Sequence, residues 1–189
     1  MKIGVLAWGS LVWRRLSVAI VGEFDSIGPR LPIEFSRVSN DGRLTLVIDE
    51  AFSASCATYA SARAFDDLLA AIENLRVREG MPSPKGVGFV ELASGQQNAV
   101  AVQRNPQTVE TIRAWAIANG YDAAIWTALA SNFHESGKAN APFSVEAAVQ
   151  YLETRDTPTL DAALTYIRQA PPEVQTPVHA AVTMRWPEG

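Results

Sequence analysis

The apolar pattern of this chain passes from strand-rich to helix-rich near Arg104 and Asn105, and that shift limits the fold more than any other feature. Before it lie short apolar runs bounded by turn residues, the pattern of strands. Lys2 to Ala7 reads as a buried strand ended by Gly9-Ser10. Leu31–Ser39 and Arg43–Ile48 read as a hairpin, with Asn40-Asp41-Gly42 supplying residues that tolerate a left-handed turn. Ser55–Ala60, Val87–Leu92 and Ala99–Gln103 read as further strands, the last two joined by a Ser94-Gly95 turn. One helix interrupts them: Phe65, Leu68, Leu69, Ile72, Leu75 and Val77 recur at helical spacing, predicting a helix from about Ala64 to Glu79, stopped by Gly80 and the Pro82/Pro84 segment.

After residue 104 the chain is Ala-rich and helical in pattern. Asn105-Pro106 opens a helix whose face carries Val109, Ile112, Trp115 and Ala116. Ser144 caps a run through Leu152, and Thr157-Pro158 begins another that Pro171-Pro172 ends. The expectation is an α+β protein with a strand-rich unit over residues 1–105 and a helical extension over 106–189. At 189 residues the chain can bury a core without disulfides or a structural metal.

Charge and composition exclude several classes of function. A net charge of −4 and scattered basic residues argue against nucleic-acid binding, which concentrates Lys and Arg on one face. A single cysteine, Cys56, cannot form an intrachain disulfide and points to a reducing compartment. The first apolar run is too short for a signal peptide, and no stretch of about 18 apolar residues is present, so the expectation is a cytoplasmic protein off the membrane. A homodimer stays open.

Few residues offer chemistry. There is no phosphate-binding loop and no Gly-x-Ser-x-Gly elbow, and Gly86-Val87-Gly88 reads as a turn or close packing point rather than a dinucleotide fingerprint. His134 and His179 lack metal-ligand spacing, so no metal is expected. Cys56 reads as a small buried residue. Trp13, Trp115, Trp126 and Trp186 read as core or interface, and Phe133–Lys138 as a connector or a lid. Arg37 reads either as a surface ion-pair partner or as a partner for a carboxylate.

Two places stand out. In Trp8-Gly9-Ser10-Leu11 a strand ends in a small pair whose N–H groups can hold a carboxylate or oxyanion, although an ordinary turn has the same composition. Glu79 falls four, seven and eleven residues after Leu75, Ile72 and Leu68, on the apolar stripe of its helix. There its carboxyl must find a partner or take up a proton, as a general acid/base does. The alternative is a frayed helix end, or pairing with Arg76 or Arg78.

The ordered set Ala7-Trp8-Gly9-Ser10-Leu11, Glu34-Phe35-Ser36-Arg37, Leu44-Thr45-Leu46-Val47 and Leu75-Arg76-Val77-Arg78-Glu79-Gly80 resembles the gamma-glutamylcyclotransferase-like superfamily, most closely its ChaC-type branch and bacterial relatives. The resemblance covers about residues 3–92, roughly half the chain. It implies a small mixed β-barrel with flanking helices. It also implies a loop, here Trp8, Gly9, Ser10 and Leu11, that closes over a small gamma-glutamyl substrate, and a catalytic carboxylate, here Glu79. The implied reaction is cyclisation to 5-oxoproline with release of an amine or amino acid, as in glutathione metabolism, without a cofactor. Trp8 stands where the family has Tyr, and Met81 where ChaC-type members have Tyr. These departures keep open a non-catalytic ligand-binding or interaction module on the same fold, and hydrolysis or amide transfer by the same carboxylate.

Overall fold

The computed structural model describes residues 1–14, 17–52, 55–63 and 66–187. Their elements, in chain order, are β1 (Ile3–Ala7), α1 (Ser10–Trp13), β2 (Ile20–Asp25), β3 (Leu31–Val38), β4 (Leu44–Ile48), β5 (Ser55–Cys56), β6 (Tyr59–Arg63), α2 (Leu68–Arg78), β7 (Val87–Glu91), α3 (Ala99–Arg104), α4 (Pro106–Ala118), β8 (Ala123–Thr127), α5 (Val145–Glu153), α6 (Thr157–Arg168) and α7 (Pro177–Arg185). The class is α+β. The strands form two open sheets, ordered β2-β6-β1-β8-β7 and β4-β3-β5. The closed barrel expected from the resemblance is not formed among the described residues. In the larger sheet β2 and β7 have no strand beyond them, and the β3–β4 hairpin that a single barrel would include builds the second sheet instead.

The chain divides into two compact units. The first holds residues 1–31 and 57–129, the second 32–56 and 130–189. The expected division at residue 105 falls inside the first unit, between α3 and α4.

In the first unit β1 lies at the centre of the sheet, antiparallel to β6 and parallel to β8. Every residue of β1 is buried, because both faces of the strand are covered. Ile3, Val5 and Ala7 share a core with Ala71, Ile72 and Leu75 of α2 and with Leu11 of α1. On the opposite face Gly4 lies against the Trp115 indole of α4, so closely that a Cβ there would sit 3.0 Å from the ring. The Trp115 indole N–H donates to the Ile27 carbonyl at 2.8 Å, which satisfies the buried donor.

Two expectations about strands are corrected. Ala99–Gln103 is helical: the Asn98 side chain accepts the Ala101 N–H at 2.8 Å and caps α3, and this local bond outweighs the Ala-Val alternation. Ser55–Ala60 is not one strand but two, β5 and β6, which join different sheets. The helix expected from Ala64 starts at Leu68, where the Asp67 carboxylate accepts the Leu69 N–H; Ala64 and Phe65 lie outside the described residues, as does Arg15, which with Arg14 makes the densest basic pair of the sequence.

In the second unit the β3–β4 hairpin forms as expected, with Ile33 opposite Ile48 and Gly42 at a φ of 81° in its turn. Helix α6 packs on β4, and α5, α6 and α7 pack on one another. Phe133 is fully buried, edge-on to Phe143 and Tyr151, so this end of the 133–138 segment is fastened into the unit's core. Cys56 is buried and its thiol donates to the Gln175 carbonyl. No helix among the described residues is long and apolar enough to cross a membrane.

Candidate functional site

Helix α2 ends in a double hydrogen-bonded cap. The Gly80 N–H donates to the Val77 carbonyl at 3.1 Å and the Met81 N–H to the Arg76 carbonyl at 3.0 Å. That pattern needs a left-handed residue just past the cap, and Gly80, at a φ of 63°, supplies it. Met81 then turns back into the core and is buried. Glu79 is therefore the cap residue itself, held at the helix end rather than frayed from it.

Its side chain is only 17% exposed and that of Arg78 only 7%. Arg78 donates from one guanidinium nitrogen to Glu79 Oε1 at 2.7 Å and from another to the Arg14 carbonyl at 2.5 Å. Of the two partners expected for Glu79, Arg78 is the one found. Arg76 instead engages the Glu73 carboxylate and the Met81 carbonyl. The Arg78 Nε donor is buried and has no acceptor among the described residues.

Burial raises the Glu79 carboxyl above the ordinary glutamate range, and the charge and hydrogen bond of Arg78 pull it back part of the way. The partial negative charge at a helix C-terminus acts in the same direction as burial. The result is a sheltered carboxyl that can exchange a proton nearer neutrality than a surface glutamate.

The Arg14 carbonyl connects this acid to the turn after β1. Arg14 caps the one-turn helix α1, and its N–H donates to Ser10 at 2.7 Å. Leu11 joins the core that also holds Leu75 and Met81, so α1 and the end of α2 pack on the same side of the sheet. The four turn residues are not equivalent. The Trp8 and Leu11 side chains are buried, whereas Gly9 and Ser10 are half-exposed. What the turn offers a ligand is thus its backbone and the Ser10 hydroxyl, and the first N–H groups of a helical turn have no acceptor within the helix.

The other candidates are placed elsewhere. Arg37 donates to the Ala130 carbonyl at 2.7 Å within the second unit. His134 is exposed, and half-buried His179 lies in α7 with its imidazole pushed down by burial. Among the described residues no three His, Cys, Asp or Glu side chains converge as a metal site would require. Trp115 and Trp126 are buried in the first unit.

Two features had no counterpart in the sequence reading. One is a cavity of about 400 Å³ in the first unit between α2, β7 and the start of α3. The other is buried Glu34 in the second unit, raised chiefly by desolvation, which accepts N–H bonds from Phe35 at 2.7 Å and Val178 at 3.4 Å. A smaller cavity of about 220 Å³ lies in the second unit beside Phe133 and Tyr151. Glu79 lines neither cavity. Set against known families, curated proteins and solved structures, the chain matches none.

Proposed function

We propose that the chain is a gamma-glutamylcyclotransferase-like enzyme, an open-sheet relative of that superfamily, which cyclises a gamma-glutamyl amide or peptide to 5-oxoproline with Glu79 as general acid/base. The observation that carries this reading is the Arg78 bridge: one guanidinium holds both the Glu79 carboxylate and the carbonyl of Arg14, the residue that caps the turn helix after β1.

The chemistry requires no external nucleophile. Glu79 takes a proton from the substrate's α-ammonium group. The freed amine attacks the γ-carbonyl carbon, and the carbonyl oxygen becomes an oxyanion that N–H groups of the Gly9–Leu11 turn are suited to hold. Collapse breaks the bond from the γ-carbon to the leaving nitrogen, and the proton held by Glu79 passes to that nitrogen. The ring nitrogen still carries a second proton from the former ammonium group; the restored Glu79 carboxylate takes it and passes it to the released amine, so the lactam keeps one N–H, the amine departs as an ammonium ion and the carboxylate is free again. Most of the barrier is lowered by folding the substrate so that its two ends meet.

Arg78 has a defined part here. With burial alone, Glu79 would hold its proton too tightly to act as a base. With an exposed ion pair, its carboxylate would be too weak a base to take the proton from the substrate's ammonium group. The opposing influences on this carboxyl bracket the intermediate state.

The test is incubation of the full chain with glutathione, a gamma-glutamyl dipeptide and a gamma-glutamylamine, with 5-oxoproline read by mass spectrometry. Release from at least one compound is expected, with a loss of about 10²–10⁴-fold in Glu79→Gln and an unchanged circular dichroism spectrum. Full turnover in Glu79→Gln removes Glu79 from the mechanism. Binding of all three compounds without 5-oxoproline favours the non-catalytic binding module.

A further inference from the structure

The cavity of the first unit lies away from Glu79. Its helical wall is the opening of α2, at Leu68, Leu69 and Ile72, and Ile72 precedes Glu79 by about 10 Å along the helix axis. Phe89 of β7 and Pro84 supply further apolar surface. At about 400 Å³ it has the size of a small-molecule site, and its lining is mostly apolar with a few polar groups, as such sites are.

Those polar groups are biased in one direction. Asn98 is fully used by the fold: its oxygen accepts the Ala101 N–H, and its amide nitrogen donates to the Val87 carbonyl at 2.7 Å. Gln97 has its oxygen occupied by the Arg113 guanidinium, which leaves its NH₂ group as the available end. Lys85 is the one lining residue with a formal charge, it is exposed, and its ammonium makes no hydrogen bond or ion pair among the described residues. Among the described residues no Asp or Glu lines the cavity. Exposed Gln96 adds a side-chain amide that can donate or accept, so the bias of the lining rests on the Lys85 ammonium, and an apolar hollow with one cation at its edge complements an anionic head on an apolar body. Exposed Leu69, at 76%, extends the apolar surface at the rim.

We propose that this cavity binds a small amphipathic anion, its apolar body against Ile72 and Phe89 and its carboxylate-type head at Lys85 and the Gln97 amide. The site is independent of the Glu79 chemistry and stands whether or not the chain makes 5-oxoproline.

The probe is octanoate, titrated into the ¹⁵N-labelled full chain and followed by amide shifts, with octan-1-ol and octylamine as matched controls. Octanoate is expected to saturate shifts at residues 68–72, 85–89 and 96–100, with octanol weaker and octylamine weakest. Lys85→Glu, an exposed position, is expected to weaken octanoate about tenfold while leaving octanol unchanged. Leu69→Gln is expected to weaken both. Absence of saturable shifts at these residues, or equal binding of octylamine and octanoate, overturns the proposal. So does octanoate binding that Lys85→Glu leaves unaltered.

Discussion

Replacing Arg78 by Met keeps the apolar stem of the side chain and removes the guanidinium that bridges Glu79 and Arg14. The cost follows from where the pair sits. Exposed ion pairs contribute about 1 kcal/mol or less, whereas breaking a fully buried one costs about 3–5 kcal/mol, because a charge is left without a partner. Side chains 7% and 17% exposed lie nearer the buried limit but keep some solvent. We expect Arg78→Met to lose about 2–3 kcal/mol near pH 8. The loss must depend on pH. As the pH falls through the raised Glu79 pKa, the carboxyl takes up a proton, the stranded charge disappears, and only the lost bond to Arg14 remains, about 1 kcal/mol. Urea unfolding followed by tryptophan fluorescence, on wild type and variant from about pH 4 to pH 8, reads this directly. In addition, amide exchange should quicken at Ser10–Arg14 in the variant, because the α1 cap has lost its tie. A stability difference that is equal at both ends of the pH range would refute the reasoning, since the charge on Glu79 would then not be what Arg78 offsets.

Three other outcomes follow from the same structure. Gly88→Ala places a Cβ 2.2 Å from the Trp126 indole, a side chain only 1% exposed, so it should cost at least ~3 kcal/mol by chemical denaturation; the same change made in Trp126→Leu should cost under ~1 kcal/mol, and equal costs would discount the overlap. Glu34 holds its proton more tightly in the fold than the ordinary value of 4.5, so its contribution to stability is fully present below that value and is lost as the pH rises through its folded pKa; Glu34→Gln should flatten that fall, and an unchanged pH slope in urea melts would contradict it. Asn98→Ala removes the cap of α3 and the donor to the Val87 carbonyl, and should cost about 2 kcal/mol with amide protection lost first at Ala101 and Val102.

The parts of the fold legible in the sequence are those where local signals agree. In the β3–β4 hairpin, β formers flank Asn40-Asp41-Gly42, and the Ser144 cap and the Thr157-Pro158 start precede the amphipathic runs of α5 and α6. Elements were missed where the local signal is weak or points elsewhere. Strand β8 is Ala-Ala-Ile-Trp-Thr, five residues following a helix in an Ala-rich stretch, and only its place between β1 and β7 makes it a strand. Strand β2 carries Gly22 and two acidic residues, exposed on an edge, and lacks the alternation that announces a half-buried strand. Helix α7 begins with Pro177 behind a Thr176 cap, a start signal only five residues after the Pro171-Pro172 stop. Open sheet or closed barrel depends on which edges meet, and that is a long-range property no motif records.

The site was legible to a similar degree. Counting from Leu68, Ile72 and Leu75 put Glu79 on the buried stripe, and its side chain is mostly buried. The turn was legible as a turn, but not that Trp8 and Leu11 point into the core, because apolar residues beside a glycine suit a pocket wall and a core equally. That Arg78 would be buried beside Glu79 has no sequence signal, since arginine in the last helical turn is ordinarily a solvated partner of the dipole. The cavity beside Lys85 assembles from three separated segments and has no linear motif.

The account depends most on the state of one carboxyl, and a ¹³C NMR titration of the Glu79 side chain, assigned by comparison with Glu79→Gln, measures it. The predicted midpoint lies above the 4.5 of an ordinary glutamate and rises further in Arg78→Met. A midpoint at or below the ordinary value would mean that the ion pair outweighs burial, and Glu79 would be a structural anion rather than an acid/base.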